Sequence, residues 1–149
     1  MVGVEEIIFK NKILAIIISH DFQKTGLHFF TPGDFSQQLA YMKHSSGKII
    51  KAHMHNHIFR KVYNTQEVLL VRKGRLRVDF YDDNQTYLES RILVGGDIIL
   101  LASGGHGFKV LKEAEIIEVK QGPYVGDNDK IRFSGVLNDQ VKLNEKTNE

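Results

Sequence analysis

Short runs rich in Val, Ile, Leu and Phe alternate with clusters of Gly, Asn, Asp and Ser along most of the chain. No stretch carries a sustained 3.6-residue pattern with good caps. This alternation constrains the fold more than any other feature, because β-branched runs closed by turn residues read as strands. The spacing predicts strands at Val4–Lys10 and Ile13–Ser19 around a tight turn at Asn11, and at Leu27–Phe30 before Thr31-Pro32-Gly33-Asp34. Gln37–His44 and Lys48–His55 flank Ser45-Ser46-Gly47, and Gln66–Arg72 and Arg75–Tyr81 flank Lys73-Gly74. Ser36–Lys43 reads about equally well as a helix or a strand. Thr86–Leu93, Ile98–Leu101, His106–Leu111 and Glu115–Gln121 complete the series. Leu76, Val78 and Phe80 alternate with Arg77, Asp79 and Tyr81, so one face of that strand is expected to be buried. About ten short strands with frequent turns argue for a β-sandwich or barrel.

At 149 residues the chain has the length of one domain and can bury a real core. It has no cysteine, which excludes disulfides, Cys-zinc sites, iron–sulfur clusters and cysteine nucleophiles. Twenty Lys and Arg face 18 Asp and Glu, a net charge of +2, with no basic stripe carrying stacking aromatics. Nucleic-acid binding is therefore not expected. The longest apolar segment, Ile13 to Ile18, is too short for a membrane span or a signal-peptide core, so no membrane association and a cytoplasmic location are expected. The polar, aromatic-free stretch 138–149 is expected to be a mobile C-terminal tail following a barrel over 1–137.

Seven histidines are present, and three of them fall within five residues. In a strand, positions i and i+2 share a face, so His53 and His55 project together and His57 continues their parity. Glu67 opens a later strand and His106 another. Three histidines and one carboxylate from three strands meet only if a barrel gathers them. Imidazole nitrogen and carboxylate oxygen suit Fe, Mn, Ni, Zn or Cu. Such a set leaves coordination positions open, as a catalytic metal requires. His20, His28 and His44, each without such a neighbour, read as ordinary surface or interior histidines.

The spacing around these residues resembles the cupin superfamily. Gly47 precedes His53-Met54-His55 by five intervening residues, and Glu67 precedes Gly74 by six. Eleven residues separate His55 from Glu67, where the family pattern has three or four. Gly96 through Gly104-Gly105-His106 resembles the second cupin motif, with Ala102 in place of its proline and Val110 in place of its asparagine. Phe29-Phe30-Thr31-Pro32, Gln37-Gln38, Arg60, Thr65-Gln66-Glu67 and Gln121-Gly122-Pro123-Tyr124 are similar to a group of small bacterial cupins. Members of that group are linked with surface-polysaccharide and nucleotide-sugar pathways.

The resemblance implies an all-β fold, a single-domain double-stranded β-helix or jelly-roll barrel with extra N-terminal strands. It implies one divalent transition metal, Fe, Mn, Ni or Zn, held by His53, His55, Glu67 and His106, with His57 and Gln66 as local substitutes for Glu67. Arg60, Gln66 and Tyr124 are expected to line the substrate pocket; Arg60 can grip a carboxylate or phosphate in a bidentate fork. A homodimer is expected, because an apolar N-terminal edge strand seeks a partner. The function expected first is an isomerase or epimerase acting on a sugar or nucleotide-sugar in polysaccharide biosynthesis. An iron-dependent dioxygenase and a non-catalytic small-molecule or metal-binding protein are the alternatives. No catalytic residue is assigned.

Overall fold

The computed structural model describes residues 2–144. The first hairpin shows how local chemistry sets the strands. β1 (Val4–Phe9) pairs antiparallel with β2 (Lys12–Ile18), Phe9 opposite Lys12. Lys10 and Asn11 form the two-residue turn, with φ of 48° and 63°. Two successive positive φ values make a type I′ turn, whose twist matches that of the strands it joins. β3 (Gly26–Phe29) and β4 (Ala40–Lys43) form a separate two-stranded sheet. β5 (Glu67–Tyr81), β6 (Tyr87–Val94), β7 (Ile98–Leu101) and β8 (Gly105–Lys120) follow. The larger sheet runs β1-β2-β7-β5-β6, with β8 also paired to β5.

This antiparallel sheet is curled into a half-barrel, and its register shows why. A straight 15-residue strand such as β5 would span about 46 Å between its end residues. Yet Glu67 lies opposite Leu101 and Tyr81 lies opposite Gly105. The short link from Leu101 to Gly105 reaches at most about 14 Å, so with two inter-strand spacings the ends of β5 must come within about 25 Å. The bend falls where the β5–β8 register slips, between Val71 and Leu76. Gly74 there has φ of 91°, and a Cβ on it would stand 2.0 Å from the Glu113 carbonyl oxygen. Only glycine allows both the backbone angle and the approach.

The slip also changes which parity faces the core. Leu69 and Val71 are buried before it, and Leu76, Val78 and Phe80 after it. Together with Ile7, Leu14, Ile17, Leu93, Ile99 and Leu101 they line the concave side of the sheet. Each such side chain contributes roughly 1.5–3 kcal/mol through burial. Arg77 and Asp79, on the convex side of β5, are buried as well. Arg77 donates two parallel hydrogen bonds to Asp79 at 2.8 and 3.0 Å, and Ser90 of β6 also donates to Asp79.

The expected strands on either side of Lys73-Gly74 are thus one long bulged strand. Likewise His106–Leu111 and Glu115–Gln121 fuse into β8. Lys48–His55 is the largest departure. Residues 44–65 carry no strand and are solvent-exposed throughout. A strand needs a neighbour for its ladder, and this segment has none among the described residues. In the expected tail, 138–140 form a 3-10 turn and 141–144 lie along β6. Ser90 N–H donates to the Lys142 carbonyl at 2.9 Å, and Lys142 N–H donates to the Tyr87 hydroxyl at 2.8 Å. The remainder of that tail, 145–149, lies outside the described residues. No described helix is long and apolar enough to cross a membrane.

Candidate functional site

The curl of β5 decides which of the expected residues meet. Glu67 opens β5 and His106 lies near the start of β8, with two whole strands between them in the chain. Their side chains meet on the concave side, with Glu67 Oε2 3.2 Å from His106 Nε2. A glycine lets β8 begin close enough to Tyr81 for this to happen. Gly104 has φ of 69°, and a Cβ there would stand 2.5 Å from the Tyr81 carbonyl oxygen.

Glu67 is buried, whereas His106 is part-exposed. The hydrogen bond with His106 is the chief cause that holds the Glu67 carboxyl below the usual glutamate value of 4.5. It outweighs the upward push of burial, and the positive charges of His106, Lys130 and Lys120 act in the same downward direction. An ionised carboxylate only accepts hydrogen bonds, so a hydrogen bond across this 3.2 Å contact takes its proton from His106 Nε2. In the neutral ring that leaves Nδ1 as the nitrogen able to accept a proton.

Both side chains line a cavity of about 600 Å³. Its walls come from residues 63–65, the 102–106 connection, the 128–131 segment and Phe133. Thr65 Oγ1 donates to Asp129 Oδ1 at 2.8 Å, which clasps the 126–129 turn to the root of β5. Lys12 and Asp83, paired at 2.8 Å, stand at another wall. A second cavity of about 480 Å³ shares Lys12, Tyr63, Asn64, Ala102 and Ser103 with the first.

The other expected ligands stand apart from this pair. His53 and His55 are adjacent to one another, rings 5.4 Å apart, in the exposed 44–65 segment. His53 Nδ1 lies 2.9 Å from the Lys51 carbonyl oxygen. Donor atoms about 2.0–2.2 Å from one metal ion sit roughly 2.8–3.6 Å apart between octahedral and tetrahedral geometry, so the 3.2 Å Glu67–His106 spacing suits two adjacent ligands. A catalytic metal needs three protein donors, and no cluster of three or more candidate ligands exists among the described residues. Within one chain as folded here, the set does not fit a metal.

Of the expected pocket residues, Arg60 is exposed in the same segment, and Tyr124 is 82% exposed with Lys120 Nζ 5.9 Å from its ring centre. Gln66 is buried. Its side-chain oxygen accepts from Ser36 Oγ and from the Gln37 N–H, both at 3.0 Å, so it ties the 36–37 loop to β5. His20, read as an ordinary histidine, lies 3.0 Å from the buried Asp97 carboxylate. Asp129 and Lys130 had no local signal in the sequence. They join the site only because the 126–131 segment folds back on a distant part of the chain, against Thr65 and Glu67.

No family model matches the chain, and neither a curated protein nor a solved structure matches it.

Proposed function

We propose that the protein is an isomerase or epimerase of the cupin type, with a jelly-roll barrel fold, acting on a carbonyl-bearing sugar or nucleotide-sugar. The observation that carries the chemistry is the Glu67–His106 pair at 3.2 Å in a cavity large enough for a sugar. Glu67 holds the proton on Nε2, orients the ring and stabilises the imidazolium that forms. His106 Nδ1 takes a proton from the carbon next to the substrate carbonyl, and the electron pair moves onto the carbonyl oxygen as an enolate. Protonation of the same carbon from the other face, by water standing there, epimerises it, and the abstracted proton passes from His106 to solvent. Where the deprotonated carbon bears a hydroxyl, transfer of that hydroxyl's proton to the enolate oxygen, followed by return of the His106 proton to the former carbonyl carbon, isomerises the sugar. Positioned general-base catalysis of this kind supplies about 10²–10⁴-fold in rate. The sugar class of the substrate rests on the family resemblance alone.

Incubation with a panel of nucleotide-sugars in deuterated water tests this reading by NMR. Solvent deuterium should enter the substrate next to its carbonyl, and His106→Ala should slow that exchange by about 10²-fold or more. No exchange across the panel, or an unaffected His106→Ala variant, overturns it.

The 3.2 Å spacing of Glu67 and His106 favours a second, metal-binding reading. The two would occupy adjacent coordination positions, and His53 and His55 would have to be delivered by the 44–65 segment. Elemental analysis of untagged protein tests it: about one divalent ion per chain, lost in His53→Ala/His106→Ala, supports it, and metal-free protein refutes it.

A further inference from the structure

The chain exposes far more surface than a protein of its size should. A folded 17.0 kDa monomer has about 7,700 Å² of accessible surface. This chain exposes 10794 Å². The excess is roughly 3,000 Å² per chain, ample for an obligate dimer interface, which buries about 2,000–5,000 Å² summed over both partners.

Two parts of the molecule carry much of its exposed apolar surface. The first is the arm, residues 44–65. Ile49, Ile50, Met54, Ile58, Phe59 and Tyr63 are all at least 60% exposed. From 49 to 64 the arm makes no backbone–backbone hydrogen bond among the described residues. It extends from the β3–β4 hairpin, which is itself unpaired with the main sheet, and a lone two-stranded hairpin is marginal in water. The second part is β8. It pairs with β5 on one side only, so its other edge is open over 16 residues among the described chain. Apolar side chains are exposed on both of its faces. Phe108, Val110 and Ile116 stand opposite buried Val78, Leu76 and Val71 and extend the core face. Leu111, Ile117 and Val119 are exposed as well.

These two parts complement one another. The arm is of strand length and apolar. It carries Lys48, Lys51, Arg60 and Lys61 with no acidic residue. The C-terminal half of β8, 113–120, carries Glu113, Glu115 and Glu118 against one basic residue, Lys120. An unpaired apolar edge and an extended apolar segment in one chain, with no backbone hydrogen bond between them, are what arm exchange between two copies leaves when one copy is removed.

We propose that the occupant of the β8 edge is a second copy of this chain. Residues 48–62 of each subunit add as a strand to β8 of the other and cover its exposed apolar face. The dimer is symmetric, and each copy both gives and receives an arm. This assembly does not depend on the acid–base reading of Glu67 and His106.

The cysteine-free chain makes the test unambiguous. Light scattering on the full chain should give twice the chain mass of 17.0 kDa. A Met54→Cys chain co-expressed with an Ile117→Cys chain, then treated with a flexible bis-maleimide, should give a mixed covalent dimer. The reagent's reach removes dependence on the exact strand register. A stable particle with the mass of one chain at micromolar concentration overturns the proposal. So does a dimer in which the mixed cross-link never forms, because another face then holds the copies together. A Met54→Cys/Ile117→Cys chain that cross-links only within itself also overturns it, because the arm then closes on its own subunit. Circular dichroism of each variant separates loss of exchange from loss of fold.

Discussion

Asp97 offers a sharp test of how the half-barrel is held. It sits on the turn from β6 into β7 and is 0% exposed. One carboxylate oxygen accepts the backbone N–H of His20 at 2.8 Å and lies 3.0 Å from His20 Nδ1. The other accepts the Val94 N–H at 2.9 Å. The same turn is stitched to β5 by Gly96 N–H to the Val71 carbonyl at 2.6 Å and Val71 N–H to the Asp97 carbonyl at 3.0 Å. One side chain therefore links the end of β2, the end of β6 and the start of β7. In Asp97→Ala both backbone donors lose a charged acceptor, worth about 1.5–3 kcal/mol each. Water reaches the exposed His20 side and the desolvation cost of the carboxylate disappears, so the net loss should be about 3 kcal/mol. For a chain of this length that lowers Tm by about 6–12 °C. Asp97→Asn keeps one acceptor but turns an NH₂ towards the other donor, and should lose about 2 kcal/mol. Urea unfolding followed by circular dichroism reads both values. If Asp97→Ala stays within about 0.5 kcal/mol of the wild type at unchanged m-value, the carboxylate does not hold this junction.

Three further outcomes follow from the same geometry. The folded-state pKa of Glu67 is lowered, so its stabilising contribution is complete above the usual glutamate value of 4.5 and is lost as pH falls through the folded value; in stability measured from pH 6 down to pH 3, Glu67→Gln should remove part of the acid-side decline, and an unchanged profile refutes the linkage. Gly74→Ala forces a Cβ to within 2.0 Å of the Glu113 carbonyl and a strained φ, which should cost at least about 2–3 kcal/mol; a Tm equal to wild type would show that β5 does not bend there. Gln66→Ala removes the acceptor of the Gln37 N–H and one of the two acceptors of Ser36 Oγ, which keeps Gln121 Oε1, and should cost about 1 kcal/mol; an unchanged Tm refutes its role in fastening the loop.

Much of the strand pattern is legible in the chain because its causes are local. Lys10-Asn11 turns β1 into β2 through two residues held at positive φ, and Gly95-Gly96-Asp97 turns β6 into β7 within a few residues of sequence. The period-2 alternation of Leu76, Val78 and Phe80 foretells the buried face, and all three are core residues. Glu67 and His106 are legible as inward-facing strand residues, though not as the two of the expected four that meet.

Other features depend on partners far along the chain. Lys73-Gly74 reads locally as a turn. It is instead a bulge, because β8 continues past it on the neighbouring edge and holds both halves of β5 in one ladder. Lys48–His55 has the composition of a strand, but a strand exists only where another edge takes its hydrogen bonds, and the described chain offers this segment none. Gln66 reads as a pocket residue and lines the second cavity; that its side chain also fastens the 36–37 loop depends on a segment thirty residues away.

The sequence by itself determined that the chain is all-β, because strand periodicity and turn chemistry are set by neighbouring residues. It also singled out Glu67 and His106, which the fold places side by side in one cavity. Only the tertiary structure decided which of them meet. The curl forced by the short link between β7 and β8 closes the distance between Glu67 and His106 and leaves His53 and His55 outside. Contact between side chains so far apart in the chain is fixed by the path of the backbone and not by the residues' own preferences.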